Sequence, residues 1–302
     1  MTRSLRGRAT QRAPQFALAC FAAAALLSLA APARSAPAMW TVRDADSTIH
    51  LFGTMHFAKP DTAWRSPKME AALKASDKLV LEIANIDDQA AAAPLIQKYG
   101  LDPQHPLTSK LDDEGDALLA KAAQAGGMPL AQLEPMRPWL AATVLALLPI
   151  QKAGYDPKLA VDLALRGDAK AAGKEIAGLE TIEQQLKFFA EMPAEAELDL
   201  LEKSLEELDQ AQALFDRMVA AYVAGDEATL DALMTDELAA KHPALHKALM
   251  VDRNHDWVRQ IERELAGSGE VFIAVGAGHL VGAEGVPALL KARGLKVERV
   301  AP

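Results

Sequence analysis

The sequence is almost without cysteine, and its one cysteine lies close to the N-terminus. Cys20 sits inside an apolar run after Ala17-Leu18-Ala19, whereas a lipid-anchor cysteine would end such a run after a Leu and two small residues. With no second cysteine the chain cannot form an internal disulfide. We therefore expect a hydrophobic core or a metal ion to hold the fold together.

Basic residues are too few to balance the acidic ones. The chain has 32 Lys and Arg against 41 Asp and Glu, a formal net charge of −9. An acidic chain without a basic patch repels phosphate backbones. The composition therefore argues against nucleic acid as a partner.

Apolar runs long enough to span a bilayer are also missing. The longest, residues 16–31, falls short of the roughly 20 residues that a spanning helix needs. It follows a segment with four arginines and no acid, and it precedes two Ala-Pro-Ala sequences. This order is typical of a secretory signal peptide, which we place at residues 1–38 with cleavage after Ala33 or Ala38. A retained membrane anchor is the alternative.

Removal of that leader would leave residues 39–302, a length that suits one large domain or two intimate lobes. Five arginines would leave with the leader, so that 27 basic residues would face 41 acidic ones and the net charge would be −14. We expect an exported protein, periplasmic or secreted, with no stable membrane insertion after leader removal.

The N-terminal part of this region predicts strands. Residues 39–43 and 48–52 alternate in hydropathy around a short turn, which predicts a hairpin. Ser66-Pro67 pairs an N-cap residue with a proline at the first helical position, and residues 78–83 predict a short buried strand.

The remainder predicts a helical middle and a second strand-bearing end. Residues 87–266 are rich in Ala, Leu, Glu, Lys and Gln at helical spacing, interrupted by one β-type stretch at 174–177. Residues 270–275 and 296–300 predict strands on either side of a helix near 285–292. We therefore predict an α/β (α+β) fold, with a central sheet built from the N- and C-terminal strands beside a large helical middle segment.

Two Gly-x-x-His sequences follow predicted strands. Gly53 permits a sharp backbone turn, with a positive φ if needed, and His56 then stands at the carboxyl end of its strand, where open α/β sheets build ligand sites. Gly276 and His279 repeat the arrangement after a continuous apolar run. Either motif alone suggests only a turn glycine beside a structural or exposed histidine. Two copies more than 200 residues apart suggest one shared site, and neutral imidazole is a common metal ligand.

Glu82 lies in the apolar strand 79–83. A carboxylate buried there would be costly unless it were paired or metal-bound, whereas on a half-exposed edge strand it would simply face water. If Glu82 is buried, two histidines and a carboxylate would form an open three-ligand metal site able to activate water.

Two further groups have both structural and functional interpretations. Glu180 precedes a predicted helix, where helix capping is a sufficient explanation and a second catalytic carboxylate is the alternative. Arg253 and Asn254 lie at the start of another helix as polar surface and cap, or else they hold a carboxylate ligand or polarise a substrate carbonyl.

The other histidines favour structural interpretations. His242 and His246 have i, i+4 spacing, but no glutamate follows the first histidine and Pro243 indicates a helix start, so we expect solvated surface. His50 within its strand and His105 in a loop also look structural.

Taken together, these blocks resemble the TraB/GumN (PrgY) family. The resemblance rests on residues 50–56 and 76–82, on 178–181 with Gln185, and on Arg253-Asn254 and 272–282. The family includes the Tiki proteins, membrane-anchored metal-dependent proteases that act on secreted Wnt proteins, and it is more distantly similar to erythromycin esterase and ChaN-like proteins.

The resemblance implies a divalent-metal hydrolase, with Mn, Co or Zn as the ion. His56, Glu82 and His279 would be the metal site, and Glu82, Glu180, Arg253 and Asn254 the catalytic residues. The expected substrate is a peptide or a small molecule, with Glu82 or Glu180 as general base if not a ligand. The competing hypothesis is a periplasmic protein that binds or sequesters a peptide without cutting it.

Overall fold

Six strands form one mixed sheet in the computed structural model, which describes residues 36–301. The strands are β1 (Met39–Arg43), β2 (Ser47–Thr54), β3 (Lys78–Ile83), β4 (Glu175–Glu180), β5 (Gly269–Gly276) and β6 (Lys296–Arg299). Their order across the sheet is β4-β3-β5-β2-β1-β6. The first four of these are mutually parallel, and β1 is antiparallel to both of its neighbours. The N- and C-terminal strands therefore share one sheet, and the predicted mixed α/β fold is confirmed.

Helices fill the long middle of the chain, as the sequence predicts. In chain order they are α1 (Pro67–Ala75), α2 (Gln89–Gly100), α3 (Asp113–Gly126), α4 (Leu130–Leu133), α5 (Pro138–Lys152), α6 (Val161–Ala171), α7 (Ile182–Ala190), α8 (Ala194–Glu206), α9 (Ala211–Ala224), α10 (Glu227–Asp231), α11 (Glu237–Lys241), α12 (Pro243–His246), α13 (Asp252–Leu265) and α14 (Val286–Ala292). Two π-helical segments, π1 (Ala232–Asp236) and π2 (Lys247–Val251), interrupt the series between α10 and α13.

Helices cover both faces of the sheet. Leu79 and Leu81 of β3 face a core formed with α1, α6 and α9, whereas Val80 between them faces a core formed with α13 and α14. Burial on both faces explains the continuous apolar runs of β3 and β5, since neither face of these parallel strands meets water. A third apolar cluster joins α3, α5 and α8 beside the sheet.

Local signals set several boundaries as predicted. The Ser66 hydroxyl accepts a hydrogen bond from the backbone N–H of Met69, with Pro67 at the first helical position of α1. The strand predicted at 174–177 is longer than expected, because parallel pairing with β3 continues to Ile83 opposite Glu180. Tertiary pairing, rather than local β propensity, extends β4.

Most of the predicted leader, residues 1–38, lies outside the described residues, which begin at Ala36. Among residues 36–301, no helix combines the length and the apolar character needed to cross a membrane.

Candidate active site

Strand register brings the two Gly-x-x-His sequences side by side. β2 and β5 are parallel neighbours, and Gly53 pairs with Val275 while Thr54 pairs with Gly276. Because the carboxyl ends of parallel strands meet at one edge of the sheet, both turns leave that edge together. β3 lies on the other side of β5, which places Glu82 at the same edge.

The turn glycines are needed for close approach rather than for an unusual backbone angle. Neither Gly53 nor Gly276 belongs to the glycines with positive φ, so the turn after Gly53 does not need the positive φ that glycine permits. A Cβ on Gly53 would lie 3.1 Å from the Cβ of Ala277, in the other motif. A Cβ on Gly276 would lie 3.1 Å from the Glu82 carboxylate, to which the Gly276 N–H donates at 2.7 Å.

His56 is held by a carboxylate that sequence reasoning missed. Its Nδ1 lies 2.9 Å from Oδ2 of Asp162 on α6. Because a carboxylate only accepts, Nδ1 carries a proton and Nε2 is the nitrogen left to face the cavity. The Asp162 side chain is buried, whereas that of His56 is 51% exposed. Loss of part of its hydration lowers the pKa of His56, but the hydrogen bond and charge of Asp162 outweigh this effect and raise the pKa to about 9.

His279 is oriented by an amide. Asn254 donates through Nδ2 to the carbonyl of Glu284 at 2.7 Å, which leaves its Oδ1 to accept from His279 Nδ1, also at 2.7 Å. The lone pair of His279 is therefore on Nε2, which accepts from Arg253 Nη1 at 2.9 Å. Burial, together with the positive charges of Arg253 and His56, lowers the pKa of His279 to about 3, so this ring is neutral.

Glu82 is buried and fully engaged. Its Oε2 accepts from Arg253 Nη2 at 2.7 Å and from Gln185 Nε2 at 2.9 Å, and its Oε1 accepts from Gly276. Burial alone would raise the pKa of Glu82, but its charged neighbours, Arg253 and His56 among them, and the Gly276 N–H hold it at about 2. β3 is an interior strand, so the interpretation of Glu82 as a water-facing edge residue is wrong.

Arg253 joins the two buried carboxylates. Its Nε and Nη2 donate to the two oxygens of Glu180 at 3.0 and 2.9 Å, while Nη2 also reaches Glu82. The Trp257 indole N–H donates to Glu180 at 2.9 Å. Arg253 and Asn254 are 8% and 2% exposed, so their interpretation as polar surface is wrong.

Glu180 does not cap the helix that follows it. Thr181 is the N-cap of α7, and it forms a capping box with Gln184. The Glu180 carboxylate instead accepts from Arg253, Trp257 and Gln185. These contacts use the lone pairs of the carboxylate, which makes Glu180 a group that positions Arg253.

The charges around the cavity leave an excess of negative charge. Asp162, Glu82 and Glu180 contribute three negative charges, and Arg253 contributes one positive charge. We call Asp162, Glu82, Glu180, Arg253 and the two motif histidines the cluster. With His279 neutral, the cluster carries two uncompensated negative charges before His56 is considered. His56, whose pKa is raised to about 9, offsets one of them when it is protonated. A divalent cation that takes the place of the Nε2 proton would balance both, and carboxylate and imidazole are suitable donors for such ions.

Arg253 also stands in the way of a cation. Nη1 uses the one lone pair of His279 Nε2, and in residues 36–301 no three His, Cys, Asp or Glu side chains are arranged to hold a metal ion as they stand. The donor set of His56, Glu82 and His279 fits a cation chemically, because both rings have Nδ1 fixed by an oxygen, as metal-binding histidines usually do. Binding requires Arg253 to release one hydrogen bond.

A cavity of about 440 Å³ opens over this cluster and is lined by His56, Glu82, Gln185, Arg253 and His279. A second cavity, of about 370 Å³, also borders His56, Glu82 and Gln185 and reaches Asp162. Residues of the cluster therefore border two cavities. A larger hollow elsewhere on the described surface, of about 610 Å³, contains none of these residues.

The remaining histidines lie away from this cavity. His242 precedes α12, whose start at Pro243 was predicted, but its side chain is only 13% exposed, near Asp199. Packing among helices covers most of this side chain, so the expectation of solvated surface is wrong for His242. His50 is buried in β2, and His105 is exposed beside Asp102.

Most of the predicted site residues therefore meet in one place, and Asp162 is the main omission. It occupies the first turn of α6, where an acid is normally explained by the helix dipole. No local signal distinguishes it. Gln185 and Trp257 likewise gain their roles only through contacts across the fold.

Residues 38–299 match the TraB/PrgY/gumN family. A protein named Uncharacterized protein YbaP from Escherichia coli (strain K12) is 24% identical over 244 residues, covering 80% of this chain and 87% of that protein. A protein named Uncharacterized protein from Treponema pallidum (strain Nichols) is 22% identical over 270 residues, covering 85% of this chain and 80% of its own length. No solved structure matches the chain.

Proposed function

Given that the chain belongs to the TraB/PrgY/gumN family, we propose that it is an exported, divalent-metal-dependent hydrolase that cleaves peptides. The observation that carries this proposal is the pair of histidines from adjacent strands with Nδ1 fixed and Nε2 directed to one cavity. Glu82 of β3 lies at the same edge of the sheet, on the other side of β5. Two histidines and a carboxylate form the ligand set of several metal-dependent peptidases.

His56, Glu82 and His279 would hold the cation, which when bound lowers the pKa of a water molecule and polarises a carbonyl. Asp162 and Asn254 orient the two rings. Arg253 and Gln185 hold the carboxylate of Glu82 in place, and Glu180 holds Arg253. These contacts keep the ligands preorganised at the sheet edge.

Arg253 and Asn254 take different parts in this proposal. Both polar groups of Asn254 are used by His279 and the Glu284 carbonyl, so Asn254 positions His279 and has nothing left for substrate. Arg253 Nη1, once released from His279 Nε2, is free to donate to a substrate carbonyl beside the cluster.

A chain-like substrate is favoured by the two cavities. Four residues border both cavities and lie where a scissile bond would sit: His56, Phe57, Glu82 and Gln185. A peptide that runs past them would place side chains in both spaces. A compact small molecule would fill only one.

A non-catalytic protein that binds or sequesters peptides is the second candidate. One observation favours it: Arg253 already uses the His279 Nε2 lone pair, so His279 has no lone pair left for a cation while Arg253 stays in place. In that case Arg253 would remain in place and hold a peptide carbonyl.

The deciding experiment is metal analysis of protein purified without a His-tag, followed by digestion of a peptide library with and without chelator. We expect about one divalent ion per chain, as for a three-ligand site, and cleavage that chelator abolishes. His56→Ala and His279→Ala should each remove the ion, whereas His242→Ala, at a histidine outside the cavity, should retain it. Peptide binding without metal or cleavage would favour the sequestering protein.

A further inference from the structure

The cavity over the ion-pair cluster is lined mainly by half-buried apolar side chains. They include Phe57, Phe188, Phe215, Met218, Met234 and Met250. We call these six residues the apolar wall. None of them is fully buried, although each belongs to the helices or turns that cover the sheet edge. Apolar groups kept at an open cavity mark a surface that binds something.

The two π-helical segments supply part of this wall. Met234 lies in π1 and Met250 in π2. A Cβ on Gly278 would lie 3.2 Å from Cε of Met250 and 3.3 Å from Cε of Met234, so both methionines touch the turn that carries His279. π-Helical turns are frequent at functional sites, and unbranched methionine adapts to differently shaped apolar partners.

The apolar wall also determines which substrate groups the cavity excludes. Its six side chains carry no charge and no strong hydrogen-bonding group, so a charged or polar substrate group would lose water there without a partner. The charged groups of the cavity are confined to the cluster, where Arg253 already pairs with Glu82 and Glu180. Only an apolar substrate group gains by entering.

We infer that the protein selects peptides with a bulky apolar side chain, such as Phe, Met or Leu, next to the bond held at the cluster. The place of that side chain beside the scissile bond rests on the proposed function, because the cluster fixes where that bond sits. The occupant is a peptide rather than a second copy of the chain or a free acyl chain, since two cavities border His56, Glu82 and Gln185.

The test measures binding separately from cleavage. Fluorescent peptides Ala-Ala-X-Ala-Ala, with X as Phe, Met, Leu, Ser, Glu or Lys, are titrated by fluorescence polarisation into chelator-treated full-length protein. We expect the peptides with X as Phe, Met or Leu to bind at least about tenfold more tightly than the others, the discrimination that an apolar pocket provides.

A matched pair of methionines locates the preference. Met218→Gln replaces a wall residue by a side chain of similar length, whereas Met192→Gln makes the same change at a partly exposed methionine lining a different cavity. The first variant should lose most of the apolar preference, and the second should retain it. Circular dichroism and thermal melting of both variants check that the fold is intact.

Each outcome decides between the two claims. Equal affinity for all six peptides, no binding, tighter binding of a free fatty acid, or self-association that Met218→Gln abolishes would each overturn the apolar-peptide inference. Apolar preference with no cleavage under any metal would leave this inference standing and remove the proposed hydrolase. Cleavage without apolar preference would support the proposed hydrolase and overturn the apolar-peptide inference.

Discussion

At the scale of single residues, the site depends on side chains that fix a neighbour. Arg253 contacts Glu82, Glu180 and His279, and its side chain and the two carboxylates are all less than 10% exposed. Asp162 and Asn254 each fix one ring nitrogen. Because these groups are buried and mutually paired, removing one leaves another without a partner.

Arg253→Met should therefore be strongly destabilising in chelator. It leaves Glu82 and Glu180 unpaired in a buried site, which costs roughly 3–5 kcal/mol for comparable ion pairs. A divalent cation should restore more stability to this variant than to the wild type, since it replaces the lost positive charge and no longer competes with Nη1. Denaturant unfolding with and without Mn²⁺ measures both effects.

The control for this prediction is Arg259→Met on the same helix. Arg259 is 57% exposed and pairs with Asp256, so its removal should change stability by less than about 1 kcal/mol. An Arg253→Met variant that gains nothing from any divalent cation would count against the metal site.

Asp162→Asn should lower the pKa of His56 from about 9 toward its ordinary value of 6.5. The folded pKa is raised, so the pair stabilises the protein fully below about pH 6.5 and loses that contribution as the pH rises through 9. NMR titration of the His56 ring in chelator-treated protein measures the shift. Asp168→Asn, an exposed acid of the same helix paired with Arg65, should leave the titration unchanged.

At the scale of elements, the parallel pairing of β2 with β5 positions the site. Gly53 and Val275 are direct neighbours in that pairing, and Tyr222 of α9 donates to the Gly53 carbonyl at 2.9 Å. The turn after β5 comes so close to β2 that Gly53 has no room for a side chain. Because His56 follows β2 and His279 follows β5, a change in the packing of these two strands would displace both histidines.

Gly53→Ala should destabilise the fold by about 1–3 kcal/mol, as overpacking usually does, because its Cβ would meet Ala277 at 3.1 Å. Adding Ala277→Gly should recover part of that loss, and a double-mutant cycle measures the coupling. Gly167→Ala has open space around its Cβ within α6 and should be neutral or slightly stabilising. Additive effects of the first two changes would contradict the close approach.

At the scale of the whole molecule, the described residues form one sheet with helices on both faces and a helical cluster at its side. The cavity lies where the carboxyl ends of β2, β3 and β5 meet the helices α7, α9 and α13. This arrangement brings residues from positions 56 to 279 to one place. The order of arginines, apolar run and small residues at the N-terminus of the sequence supports our proposal of export.

The leader predicts a measurable mature terminus. Mass spectrometry of protein recovered from the periplasm or medium of an expressing bacterium should find a start between Arg34 and Met39, because cleavage follows small residues. Replacement of the four arginines at positions 3, 6, 8 and 12 by glutamate should retain the full-length chain in the cell. An intact Met1 in the membrane fraction would show a retained anchor instead.

The sequence by itself determined the elements and most of the residues that meet at the candidate site. Alternation in β1 and β2, the Ser66-Pro67 cap and the apolar runs of β3 and β5 are local signals, since each arises from the side-chain period or backbone preference of its own segment. The two Gly-x-x-His sequences identified His56 and His279 for the same reason. These features needed no knowledge of what lies across the fold.

Only the tertiary structure decided the roles of Asp162, Glu180 and Arg253. An acid in the first turn of a helix has the same local pattern whether it serves the helix dipole or, like Asp162, binds a histidine 106 residues away. The sequence likewise left open whether Glu82 is buried or faces water, and the position of β3 inside the sheet decided it. Charge pairing and burial depend on neighbours from distant parts of the chain, and strand order and register set those neighbours.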